Sequence, residues 1–330
     1  MSVFACVPLL GRYKLLKPTK MWLAMLLLTT ALISQSHEAK HRNGRAIGGQ
    51  PFSRGRWPWL ALLRAKIVTH RVFGVFPVNH YHLYCGGVLI SNRWLLTAAH
   101  CFAEGELAKR PWNWKARMGA VRLKPSLKDR FLDLVGRIFD NDKLKQWEVT
   151  LDRIVMHPSY NASGMNLVGA DDIALVRLSR PLPTSGQQAV IQNIAMPNEN
   201  DLNFPHPGQM CVTKGWGCTT QGGGPSDNAL QIEIPVYPPE QCTNLYYNLA
   251  TMSKRICAGR WNMGIGVCKA NSFFFFGDSG SPLVCKKGNQ YTLAGIVSFT
   301  SSNKPESFPA VFTRVQDYIP WINTVLKTYN

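Results

Sequence analysis

The sequence has few acidic residues and few charged residues of any kind. It holds 19 Asp and Glu against 37 Lys and Arg, so the net charge is +18, while charged residues make up only 17% of the chain and hydrophobic residues 45%. A chain this apolar can fill a core, which excludes an intrinsically disordered protein. The excess positive charge suits binding to acidic glycans or membrane surfaces, or simply keeps a solvated face soluble, and we favour the second interpretation.

Several signatures are missing. No internal repeat, long low-complexity segment or nucleic-acid-binding motif accompanies the charge, so we expect no nucleic-acid partner. No Cys-x-x-Cys pair occurs among the nine cysteines. His80 and His82 are the nearest approach to a pair of metal ligands, and we expect a strand-edge or loop role for them. The sequence therefore predicts no metal and no cofactor.

The longest apolar run is also too short to cross a bilayer comfortably. Residues 21–34 (MWLAMLLLTTALIS) follow two lysines, which is typical of a signal peptide rather than an uncleaved membrane anchor. We expect residues 1–36 to be the signal peptide, and the long lead-in makes Met21 a candidate start. The protein would then be secreted and extracellular, in an oxidising compartment where disulfides persist.

Cysteine and asparagine positions agree with export. Only Cys6 of the nine cysteines precedes the predicted cleavage, which leaves eight, and an even number predicts four disulfides. Asn161 opens the sequon Asn-Ala-Ser, which predicts a glycosylated surface loop.

Three short segments together carry chemistry. His100 lies in LTAAHC, Asp172 in DDIALVRL and Ser279 in GDSGSPLVC. A serine hydroxyl is a poor nucleophile unless a base lies within hydrogen-bond reach, and a neutral imidazole is the natural base. A buried carboxylate then orients the imidazole and stabilises the imidazolium that forms. The three segments supply one of each group.

In order and flanks, these segments resemble the chymotrypsin/trypsin-like serine proteases. The resemblance runs from Ala46 to Asn330 and includes WPW at 57–59, CGGVLI at 85–90, GWG at 215–217 and VFTRV at 311–315. It implies an all-β fold of two antiparallel six-stranded β-barrels, at about 46–180 and 181–315. Ile319, Ile322 and Leu326 recur at helical spacing and predict a C-terminal helix at about 316–328.

The resemblance also implies a role for each residue. Ser279 attacks the peptide carbonyl, His100 takes and returns the proton, and Asp172 holds His100. The backbone N–H groups of Gly277 and Ser279 form the oxyanion hole. Ser298 supports Asp172.

Activation by one cut follows from the same resemblance. Residues 44–49 (GRAIGG) resemble a zymogen cleavage site, with residues 37–45 as the propeptide and cleavage after Arg45 by an activating protease. The new α-amino group of Ala46 would insert and pair with Asp278. Alanine stands where the family usually has isoleucine, so it buries less apolar surface and holds the active form less firmly.

The family pairing assigns six of the eight cysteines. It joins Cys85 to Cys101, Cys211 to Cys285 and Cys242 to Cys257. Two further cysteines lack their usual partners, and our hypothesis is that these two join each other: Cys218 and Cys268.

The largest departure from the family lies just before the nucleophile. Residues 270–276 (ANSFFFF) interrupt a segment that would otherwise resemble elastase-like members closely. Three interpretations stay open: a real insertion that reshapes the substrate site, an insertion that blocks the pocket with phenylalanines, and a gene-model error.

Specificity depends on the same segment. The base of the pocket would be Gly266 without the insertion, or Phe273 with it, and neither is acidic. Thr300 and Ala310 match the two wall positions and predict a shallow pocket. We therefore expect cleavage after small or medium apolar residues, with residues 298–300 (Ser298, Phe299 and Thr300) pairing with the substrate backbone.

The sequence therefore predicts a secreted, monomeric serine endopeptidase that is made as a zymogen and acts on proteins or peptides. The alternative is an inactive protease-fold protein that binds acidic glycans or membrane surfaces. A basic exosite with outward tryptophans is one interpretation of residues 103–150, and inward packing of the tryptophans is the one we favour; the side chains concerned are Arg110, Lys115, Arg117, Arg122, Trp112 and Trp114.

Overall fold

The computed structural model describes most of the chain after residue 48. The ranges are 49–72, 76–141, 144–161, 171–184, 191–218, 224–246, 254–263, 266–267, 278–301 and 307–329. The predicted signal peptide and propeptide lie outside these residues.

Six strands close into an antiparallel barrel in the first half of the chain. Their order around the barrel is β2-β3-β4-β7-β6-β5. The strands are β2 (Leu60–Val72), β3 (Phe76–Leu89), β4 (Trp94–Thr97), β5 (Trp114–Met118), β6 (Trp147–Met156) and β7 (Ala174–Leu178). The interior is hydrophobic, since Leu62, Leu96 and Val176 are all fully buried. Closure pairs each of the six strands with a neighbour on both sides within the barrel.

The second sheet has seven strands and curls into a half-barrel. Its order is β1-β9-β8-β11-β12-β13-β10, and an isolated bridge between Val236 and Ala258 joins the ends of β9 and β10. The strands are β1 (Gln50–Pro51), β8 (Met210–Gly215), β9 (Leu230–Pro235), β10 (Arg255–Ala258), β11 (Pro282–Lys287), β12 (Gln290–Phe299) and β13 (Ala310–Arg314). The predicted chymotrypsin-like all-β fold is confirmed, with one closed barrel and one curled sheet.

Strand β9 shows why this sequence forms sheet. Leu230, Ile232 and Ile234 point into the core, while Gln231 and Glu233 lie between them and are less buried. Alternation with a period of two gives a strand one apolar face and one polar face. The short strand β1, near the start of the described residues, pairs with β9 through Gln50 opposite Gln231.

Strands β2 and β3 continue past the barrel as a two-stranded ribbon. Strand β5 pairs with β2 only from Ala61 to Ala65, whereas the β2–β3 pairing runs on to Val72 opposite Phe76. We call the part of this hairpin beyond Ala65 the β2–β3 ribbon. It returns along β3 directly to the barrel wall.

The basic stretch between β4 and β6 contains two helices, α1 (Gly105–Ala108) and α2 (Leu127–Ile138). Ser126 and Asp129 form a capping box that satisfies the first N–H groups of α2. Trp114 is fully buried and its indole N–H donates to the Ala108 carbonyl, while Trp112 is 66% exposed. Arg117 is also buried and donates to backbone carbonyls at the end of the same loop. The exosite interpretation therefore loses Trp114 and Arg117, because both pack inward.

The chain ends in the predicted helix. A 3₁₀ turn (Val315–Tyr318) leads into α4 (Ile319–Tyr329), and a short helix α3 (Pro239–Leu245) precedes β10. Ile319, Ile322 and Val325 are the buried residues of α4 and attach it to the core of the first barrel. Among the described residues, no helix has the length and apolar character to cross a membrane.

Candidate active site

His100 and Asp172 are brought together by two neighbouring strands. His100 lies in a 3₁₀ turn (Ala99–Phe102) just after β4, and Asp172 lies two residues before β7. Strands β4 and β7 pair with Thr97 opposite Ala174, so the two segments leave the same end of the barrel. The His100 Nδ1 atom is 2.7 Å from Asp172 Oδ2, and the His100 backbone N–H donates to Oδ1 at 2.9 Å. The carboxylate thus fixes both the ring and the backbone of His100.

The Asp172 carboxylate is ionised in spite of its burial. The residue is only 5% exposed. Burial alone would raise the pKa of this carboxyl, but the charge and hydrogen bonds of His100 and the hydroxyl of Ser298 hold the pKa below its ordinary 3.8. A buried anion beside an imidazole stabilises the imidazolium form, which is what a general base needs during proton transfer.

Ser298 reaches the carboxylate because β12 is irregular. The β12–β13 register shifts between Val297 and Phe299, so Ser298 lies at a bulge. Its hydroxyl donates to Asp172 Oδ2 at 2.6 Å. Bulges commonly re-aim a side chain next to an active site. From β13, the hydroxyl of Thr313 also donates to the Asp172 backbone carbonyl at 2.8 Å.

Ser279 lies in a tight turn that packs against the loop before His100. Its carbonyl oxygen accepts from the Gly86 N–H at 2.7 Å, and the Gly86 carbonyl accepts from the Thr97 hydroxyl. Gly280 has φ of 76°, and a Cβ there would lie 2.2 Å from Thr97 Oγ1. Only glycine fits this position. The serine turn and the histidine loop are therefore in direct contact.

Asp278 is buried beside Gly217. The Gly217 N–H donates to Asp278 Oδ1 at 2.9 Å, and a Cβ on Gly217 would lie 1.8 Å from the other carboxylate oxygen. The GWG motif and the residue before Ser279 thus form one packed unit. Ala46 and Arg45, which are predicted to act with Asp278, lie outside the described residues.

The predicted walls of the specificity pocket come from two adjacent strand ends. Strand β12 ends at Phe299, so Thr300 comes directly after it. Ala310 is the first residue of the neighbouring strand β13. Thr300, Ala310 and Gly266 are all buried. The Phe299 ring packs edge-to-face on Tyr246 with centroids 5.6 Å apart. Gly277, Phe273 and the rest of residues 268–277 lie outside the described residues.

Three disulfides join pairs of described residues in the two sheets and the segments next to them. Cys85 bonds Cys101 beside His100, Cys211 bonds Cys285 between β8 and β11, and Cys242 bonds Cys257 between α3 and β10. Cys218 is 1% exposed and is also disulfide-bonded. Its partner lies outside the described residues, as does Cys268. Asn161 is exposed at the border of the described residues, and the Ser163 of its sequon lies beyond it.

Sequence analysis missed a polar cluster behind the triad. Asp171 Oδ1 accepts from Lys254 Nζ and from the Tyr318 hydroxyl, each at 3.0 Å. Burial would raise the pKa of Asp171, but these two bonds and the Lys254 charge hold the pKa below its ordinary value. The residue adopts φ of 64°, which is uncommon for a residue other than glycine. The only local sign of this cluster in the sequence is the adjacent pair Asp171 and Asp172. Lys254 and Tyr318, the partners of Asp171, are distant in sequence.

Comparison with known proteins agrees with this geometry. The family model described as Trypsin matches residues 46–322. Phenoloxidase-activating factor 3 of Holotrichia diomphalia is 31% identical over 285 residues, which cover 84% of this chain and 71% of that protein. The chain therefore belongs to the trypsin family of serine endopeptidases.

Proposed function

We propose that this protein cleaves peptide bonds through an acyl-enzyme formed on Ser279. The observation that carries the proposal is the buried chain of hydrogen bonds from Ser298 through Asp172 to His100 Nδ1, at 2.6 and 2.7 Å. That chain leaves the other imidazole nitrogen to act as base for the serine of the adjoining turn. The N–H groups of Gly277 and Ser279 would stabilise the oxyanion, each for about 3 kcal/mol.

The test is labelling by a fluorophosphonate probe after cleavage at Arg45. We expect the label on Ser279 in the cleaved protein and its loss in Ser279→Ala and His100→Ala. Circular dichroism of the same samples controls for folding. A correctly cut, folded protein that stays unlabelled would contradict the proposal and favour the inactive glycan- or membrane-binding alternative.

Activation would use the buried Asp278 carboxylate. After cleavage, the Ala46 amino group is proposed to pair with Asp278, whose Oδ1 already accepts from Gly217. A buried charge that loses its partner is strongly destabilising, so activity should depend steeply on the cut. We expect Arg45→Gln to stay inactive and Asp278→Asn to be cut normally yet fail to label. Ala46→Ile should raise the labelled fraction. Isoleucine would bury more apolar surface than alanine, which stabilises the active form by about 2 kcal/mol.

We propose a preference for small or medium apolar residues before the scissile bond. Neither Thr300 nor Ala310 can pair with a cationic side chain, and Gly266 offers no acid at the predicted base. Peptide substrates that differ only at that residue test this. Faster turnover of Ala and Val substrates than of Arg substrates is expected. Efficient cleavage after Arg alone would refute it.

The proposal also includes secretion and the modifications that accompany it. We propose that the protein is secreted as a monomer, that Asn161 is glycosylated and that Cys218 bonds Cys268. The bonded state of Cys218 supports the last point. Expression in secretory cells should release into the medium a protein that begins at His37. Its electrophoretic mobility should change on deglycosylation. Peptide mapping without reduction should recover a peptide that contains both cysteines, and two free thiols there would exclude the bridge.

A further inference from the structure

The β2–β3 ribbon carries two histidines that the catalytic site does not use. His80 and His82 are alternate residues of β3, so they point to the same face. On β2, Val68 pairs with His80 and Lys66 with His82. Both histidines are exposed to solvent. The two imidazoles therefore share an accessible surface.

The two rings have the spacing of a chelating pair. Their centroids are 5.4 Å apart, and the ring planes cross at 87°. In a zinc site, the metal–nitrogen distance is about 2.0–2.1 Å, so two imidazoles at a tetrahedral angle have centroids roughly 5 Å apart. The observed separation is close to this value.

The His82 ring is also held by an aromatic neighbour. Tyr84 stacks on it with ring centroids 6.0 Å apart and planes 24° apart. A ligand ring that is already positioned loses less conformational freedom when it binds an ion.

Neighbouring charge opposes the ion. Lys66 pairs with His82 across the ribbon and repels a cation, so the affinity will be modest. Within the described ranges, no group of three or more metal-ligating side chains occurs, so water or a substrate carboxylate would complete the coordination.

We propose that His80 and His82 together bind one divalent first-row transition-metal ion, either zinc or copper. Imidazole nitrogens suit both metals, and the general affinity order favours copper. The ion would lie on the strand that continues to Gly86, about 13 Å further along at 3.3 Å per residue. Gly86 holds the Ser279 carbonyl. The proposed site is thus on a strand that also contacts the serine turn.

The primary test measures metal binding alone. Zinc chloride is titrated calorimetrically into full-length Ser279→Ala protein, which cannot process itself and does not depend on the proposed function. One saturable site is expected. His80→Ala and His82→Ala should each weaken it at least tenfold, because one imidazole cannot chelate. His70→Ala is the matched control, since His70 is exposed on the same ribbon but pairs with Asn79. Binding that survives both single substitutions, or that His70→Ala weakens equally, would overturn the proposal.

A second arm tests the link to catalysis, which does rest on the proposed function. Zinc should slow cleavage of peptides that extend beyond the scissile bond in active protein with both histidines. It should leave cleavage of a short ester substrate unchanged, and His82→Ala should abolish the inhibition. Zinc binding in the first arm without this difference would reject the catalytic link. An inactive enzyme would reject the proposed function while the binding result stands.

Discussion

Replacing Ser298 by alanine tests the central hydrogen-bond chain. The Ser298 hydroxyl is one of three donors to the buried Asp172 carboxylate, and the two others come from His100. A hydrogen bond to a charged group is worth about 1.5–3 kcal/mol. We expect Ser298→Ala to lose that much unfolding free energy at neutral pH. Without the Ser298 hydrogen bond, which helps to lower it, the pKa of Asp172 should also rise.

Loss of the Ser298–Asp172 hydrogen bond should also lower catalytic activity. If the bond supports the imidazolium fully in the transition state, the loss is roughly tenfold to hundredfold in kcat/KM, because about 1.4 kcal/mol corresponds to tenfold. Thr313→Val is the matched control. Thr313 also touches Asp172, but its hydroxyl bonds the neutral backbone carbonyl, worth about 0.5–1.5 kcal/mol. Its effect on kcat/KM should be much smaller.

The assays are guanidinium unfolding and steady-state cleavage of one peptide substrate. Ser298→Ala should exceed Thr313→Val in both stability loss and activity loss. Should Ser298→Ala keep kcat/KM within twofold of the wild type, or Thr313→Val prove the more damaging to activity, the inferred role of the carboxylate would be refuted.

Three more outcomes follow from burial, space and charge. Trp114→Ala should lower unfolding free energy by about 3–5 kcal/mol, whereas exposed Trp112→Ala should change it by less than about 0.5 kcal/mol; equal effects would contradict the inward packing. Gly217→Ala should abolish probe labelling, since its Cβ would collide with a buried carboxylate, while Gly224→Ala, with nothing within 4 Å, should label normally. Asp171 contributes stability above pH 3.8 that is lost as the pH falls through its lower folded pKa. Asp171→Asn should therefore be less stable than wild type by urea unfolding at pH 7, with the gap closing near pH 3, and a constant gap would refute the ion-pair contribution.

The all-β fold and the His100–Asp172 contact were predictable because the motifs that carry them resemble a known family. Strands such as β9 alternate in hydrophobicity, and the motif around His100 lies beside a cysteine whose family partner was known. Ends of neighbouring strands meet in space, so a histidine after β4 and an aspartate before β7 must approach each other. The pairing of β4 with β7 explains the contact, and the family resemblance is what predicted it.

Other features depend on packing that the sequence does not encode locally. Lys254 and Tyr318 meet Asp171 from elements far along the chain, so no short motif indicated the cluster. The fate of Trp112 and Trp114 was equally hidden, because both sit among the same basic residues. One donates to Ala108 inside the fold and the other faces solvent.

If the chain is cut after Arg45 as proposed, strand β1 would set how far the new chain end can travel. Because Gln50 is held opposite Gln231, the four residues from 46 to 49 would form a tether of at most about 14 Å. A tether this short would keep the freed amine at high local concentration around its anchor. Docking of that amine would then be a brief search within a small volume, and lengthening the tether by inserted glycines should slow it.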